Sequence, residues 1–206
     1  MFTTLLFKES PLISVIVILF CFISIIYKSY IVFCLLVILL FCLILFYRYE
    51  PYEQRYENNV IISPAEGTVS YIKESGDKIH VSIYLSFLTK HYQICPVNGV
   101  IVKRIYDNVG KFSLANNHRK SRFNEKKIHS IQMENGKILK VTQIAGFFPR
   151  RIVSSDNTPE NVLAGEYLGM IKFGSRVDLE FEGDITNIKI KDGQKIHIGD
   201  EVYKYL

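Results

Sequence analysis

The sequence predicts a mainly β domain carried behind an N-terminal pair of apolar helices. Three observations predict it. The first is two charge-free apolar runs, Pro11 to Tyr27 and Ile31 to Tyr47, parted only by Lys28-Ser29-Tyr30. The second is a change of pattern after Asn59, where short β-branched runs alternate with Gly, Asn and Asp turn signals, as in sandwiches and barrels. The third is bulk: 206 residues hold one globular domain and an appendage.

Each apolar run is about 17 residues, the short end of what crosses a bilayer as a helix. With so short a break, the expectation over residues 1–47 is a tight, membrane-anchoring transmembrane hairpin; shallow insertion from one leaflet is the alternative. A secretory signal would account for the first run and not the second. Lys8 precedes the pair, and Arg48 and Arg55 follow it, so the positive-inside tendency places both ends on the cytoplasmic face. Residues 48–59 follow as an interfacial linker with Tyr49, Tyr52 and Tyr56, a residue type suited to the headgroup layer.

Over 60–206 the expected strands are 60–62, 68–72, 79–85, 100–106, 128–132, 138–146, 169–173, 176–181, 185–190 and 201–205. Ser86 to Ile94 reads as a short helix or turn, and Glu66-Gly67, Ser75-Gly76-Asp77 and Asn98-Gly99 read as turns. Asn116 to Lys127 and Val153 to Asn161 read as loops, the first basic and membrane-facing. Two segments, Ile62 to Val69 and Ile188 to Val202, share a strand-turn-strand pattern similar to hammerhead (biotinyl/lipoyl-like) barrels, so the fold class is a hammerhead or barrel-sandwich-like β domain. No Lys sits in the tight turn where such a domain carries its prosthetic group, which argues against a carrier.

The net charge of +5 lies almost wholly outside the apolar runs and suits an anionic membrane surface; scattered basic residues argue against nucleic acid. Three of the four cysteines lie in the apolar runs, so Cys95 stands alone and no disulfide framework exists. The histidines have no metal-ligand spacing, and neither a phosphate-cradling glycine loop nor a GxSxG elbow occurs. What remains is a Gly174-Ser175 pair inside a strand pattern, His91, and carboxylates such as Glu66 and Asp178. A strand glycine ordinarily marks a bulge or a close approach. A Ser hydroxyl beside a strained carbonyl is also placed to attack it.

Five ordered segments resemble the phosphatidylserine decarboxylase family in its short membrane-anchored form. They are Phe46-Tyr47-Arg48, Ser63-Pro64-Ala65-Glu66-Gly67, Leu85-Ser86 through His91 to Pro96-Val97-Asn98-Gly99, Gln143-Ile144-Ala145-Gly146 with Arg150-Arg151-Ile152-Val153, and Ile171 to Asp178. Gly110-Lys111-Phe112 and Asn124-Glu125 fit between them. The resemblance implies a self-processing carboxy-lyase that cuts between Gly174 and Ser175 into a β chain (1–174) and an α chain (175–206). Ser175 becomes a covalent pyruvoyl group. That cofactor forms a Schiff base with phosphatidylserine and accepts the electrons of decarboxylation, giving phosphatidylethanolamine and CO2. No metal is implied, and a homo-oligomer is allowed.

By the same resemblance His91 is a general acid/base or carboxylate holder, and Glu66, standing where the family has Asp, is the base on Ser175. Arg150 and Arg151 would bind the substrate phosphate or the headgroups. Thr89, Phe87 and Gln93-Ile94 also depart from the family pattern. A related serine-headed lipid such as archaetidylserine is the enzymatic alternative, and an inactive membrane-tethered β-barrel adaptor the non-enzymatic one.

Overall fold

The structure, a computed structural model, describes residues 3–52, 54–86, 88–107, 121, 123–146, 152–172 and 175–205. The chain divides into two compact units, Met1–Glu50 and Pro51–Leu206.

The first unit is helical. Strand β1 (Thr3–Thr4) pairs with β2 (Arg48–Tyr49), and between them run α1 (Leu6–Glu9), α2 (Pro11–Ile26) and α3 (Tyr30–Phe46). Pro11 opens α2 at a position where its missing N–H is harmless. The Ser10 and Tyr47 hydroxyls, 2.5 Å apart, tie the start of α2 to the residue after α3. The helical pair therefore forms where the apolar runs place it. The 16 residues of α2 rise about 24 Å, against ~30 Å of bilayer hydrocarbon. No helix among the described residues is long and apolar enough to cross a membrane. Leu12, Ile26, Ile31 and Leu35 nevertheless stay open, at 61–80% exposure.

The second unit is β. Its strands are β3 (Val60–Ile62), β4 (Gly67–Ser75), β5 (Lys78–Leu85), β6 (Tyr92–Ile94), β7 (Gly99–Asp107), β8 (Lys126–Met133), β9 (Ile138–Ile144), β10 (Ile152–Val153), β11 (Glu160–Val162), β12 (Tyr167–Ile171), β13 (Ser175–Glu182), β14 (Lys195–Ile196) and β15 (Glu201–Lys204). Eight form one sheet in the order β11-β7-β8-β9-β13-β5-β4-β14. A smaller sheet has the order β10-β12-β6, and β15 pairs with β3. The large sheet ends at β11 and β14 and does not close on itself, so the barrel expectation gives way to open sheets around a shared core.

Alternation fills that core. Ile79, Val81, Ile83 and Leu85 of β5, with Val177, Leu179 and Phe181 of β13, are buried on one face. Ile152, Leu168 and Ile171 of the small sheet join the same cluster. The two look-alike segments pair with each other: Lys195 and Ile196 lie opposite Thr68 and Gly67, and Glu201 lies opposite Ile62.

The differences from expectation have local causes. Residues 185–190 are not a strand. The Asp184 carboxylate accepts from the Thr186 N–H and hydroxyl, a local bond that competes with a ladder and starts a 3-10 turn at Ile185–Asn187. Gly67 and Gly99 open strands instead of making turns. A Cβ on Gly67 would lie 2.3 Å from the Tyr84 carbonyl, so glycine is required there by the closeness of β5. Residues 86–94 split into a turn and strand β6. Parts of the expected loop 153–161 pair at both ends, in β10 and β11.

Candidate active site

Ser175 is the first residue of β13, and Ile171 is the last of β12. These strands belong to different sheets, so the chain crosses from one sheet to the other between them. The Gly174-Ser175 bond falls in this crossover; Gly174 itself lies outside the described residues, as do Arg150 and Arg151.

Ser175 pairs with Leu85 on one side, and its neighbour Arg176 pairs with Ile144 on the other. The β4–β5 pairing begins one residue further along, at Thr68 opposite Tyr84, and the Ala145 N–H donates to the Glu125 carbonyl. Gly67, Leu85, Ser175, Ala145 and Glu125 therefore lie at one end of the large sheet. Glu66 precedes Gly67 and is partly exposed. Strand spacing puts its backbone about 10 Å from that of Ser175, two strands away. The register brings Glu66 and Ser175 to the same sheet end.

The Ser175 side chain is fully buried, and its hydroxyl has no hydrogen-bond partner among the described residues. Buried hydroxyls are nearly always bonded, and a catalytic role is one of the explanations for an exception. Ser175 points to the core face with Val177 and Leu179. Arg176 and Asp178 point to the opposite face, where Arg176 Nε lies 2.9 Å from the Asp178 carboxylate and donates from a terminal nitrogen to Ser121 Oγ at 2.7 Å. Ser82 also bonds Asp178. Asp178 is therefore paired and structural, not a solvated carboxylate.

His91 lies just before β6 and is fully buried. Its carbonyl accepts from the Ile171 N–H at 3.1 Å, which holds it opposite the residue that enters the crossover. Its ring Nδ1 lies 2.7 Å from the Thr89 carbonyl. A carbonyl only accepts, so Nδ1 carries the proton and Nε2 is the basic nitrogen of the neutral ring. Thr89 contributes through its backbone, which a sequence comparison at the side-chain level does not reveal.

The sequence reading missed a polar sector beside this end. On the core face of β8 and β9 lie Glu125, Lys127, His129 and Gln143, all buried. Glu125 accepts from Tyr106 Oη. Lys127 donates to the carbonyls of Ser154 and Ser155 and pairs with Asp156, which holds the Asp156 carboxyl below its usual range. Burial pushes the His129 imidazole down to about 4; the Gln143 hydrogen bond opposes this shift, and the Arg104 and Lys127 charges add to it. The signal was available in the alternation of Lys126 to Met133, which puts Lys127 and His129 in phase with Ile131 and Met133. Burial also pushes the Cys95 thiol up to about 12, in keeping with a packing role. The described residues hold no cluster of metal-ligating side chains.

A buried Ser hydroxyl without a partner among the described residues, at a sheet-to-sheet crossover that starts opposite the His91 carbonyl, defines the candidate site. The comparisons supply the family. Residues 41–204 match the family model for phosphatidylserine decarboxylase. The phosphatidylserine decarboxylase proenzyme of Wolbachia pipientis wMel is 39% identical over 155 residues, covering 70% of this chain and 66% of the relative. Those of Solibacter usitatus and Carboxydothermus hydrogenoformans are each 34% identical, over 168 and 173 residues, with 80% of each relative covered. The chain belongs to the phosphatidylserine decarboxylase family, a family of carboxy-lyases. It spans about two thirds of the length of the Wolbachia relatives. No solved structure gives a significant match.

Proposed function

We propose that this chain is a self-processing, pyruvoyl-dependent phosphatidylserine decarboxylase. The observation that carries the reading is the Ser175 hydroxyl, fully buried and without a partner among the described residues, at the crossover between two sheets. The Ser175 hydroxyl adds to the Gly174 carbonyl, the peptide nitrogen leaves, and an ester replaces the amide. Loss of the Ser175 α-proton then expels the Gly174 carboxylate. The dehydroalanine left behind tautomerises and takes up water, releasing ammonia and leaving a pyruvoyl group at the head of residues 175–206.

Glu66, in the turn before β4, and His91, just before β6, are the proton acceptors of this reading. In this reading Glu66 takes the hydroxyl proton, and His91 exchanges protons or holds the lipid carboxylate during turnover. The pyruvoyl group supplies an electron sink for loss of CO2. The residues fit it: Ser175 starts a strand held on both sides, and its side chain faces a closed interior that excludes water.

Arg150 and Arg151 are proposed to meet the substrate phosphate, on the strength of the family pattern and their place next to Ile152. The open apolar sides of α2 and α3 support attachment to a lipid surface, and Lys8, Arg48 and Arg55 at the ends of the apolar runs support the cytoplasmic face. The proposed division keeps residues 1–47 as anchor, 48–59 as interfacial linker and 60–206 as the decarboxylase domain. Intact mass of the purified protein tests the core of the proposal. The expected result is two fragments, the smaller about 3.5 kDa at ~110 Da per residue. A single full-length mass that Ser175→Ala leaves unchanged would overturn it.

A further inference from the structure

The polar groups buried between β9 and the small sheet form a chain with one direction. Arg104 Nε donates to His129 Nδ1 at 3.2 Å. A guanidinium has no acceptor, so Nδ1 is bare and the His129 proton is on Nε2. Nε2 donates to Gln143 Oε1 at 2.9 Å. Gln143 Nε2 donates to Gln93 Oε1 at 2.7 Å. Gln93 Nε2 donates to the His91 carbonyl at 2.6 Å. Turning over any one amide would set donor against donor or acceptor against acceptor. The outer end is fixed as well: Arg104 pairs with Glu160 and donates to the Asn157 carbonyl.

His129, Gln143 and Gln93 are fully buried. Each is costly to bury unpaired, so a core serving stability alone would fill this space with apolar side chains. The space is also reserved from the other side. A Cβ on Gly169 of β12 would come within 3.0 Å of Gln143 Nε2 and 2.5 Å of the Val153 carbonyl. The chain ends on the carbonyl that also receives the Ile171 N–H, four residues before Ser175.

We propose that Arg104, His129, Gln143 and Gln93 are positioning residues for the decarboxylation. They act as one unit that fixes the His91 peptide, and through it the His91 ring and the entrance to the crossover, relative to Ser175. None of the four touches the reacting atoms. The inference rests on the decarboxylase reading.

The test is a double-substitution cycle between the ends of the chain, Arg104→Met and Gln93→Met, with Glu160→Gln as a mild change at a partly exposed position. The readouts are kcat and KM per cleaved chain on phosphatidylserine in mixed micelles, the 175–206 fragment by mass, and the thermal midpoint. Each interior substitution is expected to lower kcat about 10-fold, as sub-ångström misplacement does, with KM within about 2-fold. The double variant is expected to fall no further than the worse single, because breaking either end disables the unit. Glu160→Gln is expected to lower kcat severalfold at an unchanged thermal midpoint. Unchanged kcat in Glu160→Gln and in either interior variant would overturn the proposal, as would multiplying losses in the double variant. A wild-type chain that never releases the fragment would sink the decarboxylase reading first, an outcome distinct from either.

Discussion

The core face of the large sheet has two sectors that share one backbone plan and differ in content. Across β5 and β13 the inward positions are Ile79, Val81, Ile83, Leu85, Val177, Leu179 and Phe181, all apolar and buried. Across β8 and β9 the same inward phase carries Glu125, Lys127, His129 and Gln143 beside Ile131, Leu139 and Val141. The apolar sector needs only shape. The polar sector needs each donor matched to an acceptor, and it obtains the match from the small sheet and from Arg104. Ser175 sits at the start of β13 between the two sectors, opposite Leu85 of β5, and its neighbour Arg176 lies opposite Ile144 of β9. The comparison shows a division: one sector is held by apolar shape, and the other by matched donors and acceptors.

Four measurements would break or sharpen this contrast. The largest effect is expected at the junction. Ser175→Ala should abolish release of the 175–206 fragment altogether, as read by intact mass, while the thermal midpoint stays close to that of the wild type, since the hydroxyl removed has no partner among the described residues. Next is the apolar sector. Leu179→Ala empties a site with 0% exposure and should destabilise by about 2–5 kcal/mol in denaturant unfolding. An effect below 1 kcal/mol would mean the sector is less tightly packed than it looks.

The polar sector should answer to pH instead. His129 is held neutral, near 4 when folded against 6.5 for the free side chain. The unfolded chain therefore binds the proton first, so this stability is complete above about pH 6.5 and is lost as the pH falls towards 4. The loss should approach ~3 kcal/mol. His129→Gln should flatten that part of the stability–pH curve, and an unchanged slope would count against His129 as its source.

The smallest effect belongs to the outer face. Burial alone would raise the Glu180 carboxyl, but the hydrogen bonds and charges of Lys140 and Lys78 outweigh it and leave it below the usual range. These groups are well exposed, so Lys140→Ala should change stability by less than about 1 kcal/mol, and less still in high salt.

Much of the fold was legible because it follows from alternation and turn chemistry. The long strands were found within two residues at each end, except that β4 runs three residues past its expected end, since β-branched residues at period two have few other uses. Strands β6, β10 and β11 were not legible. They are two or three residues long, and their pairing depends on partners distant in sequence. At the site, Ser175, His91 and Glu66 were marked by local motifs, and the register places Ser175 and Glu66 on one sheet end. The partners of Asp178 were missed because Ser82 lies 96 residues away.

The sequence by itself determined the two apolar helices, the strand pattern and the Gly174-Ser175 bond, because each depends on neighbours a few residues apart. It also determined the family. The tertiary structure decided that this bond lies where the chain leaves one sheet for another, and that the Ser175 hydroxyl is buried. It also decided that Arg104, His129, Gln143 and Gln93 point in one line toward His91. Those facts depend on which strands become neighbours, and strand order is set by the packing of the whole core.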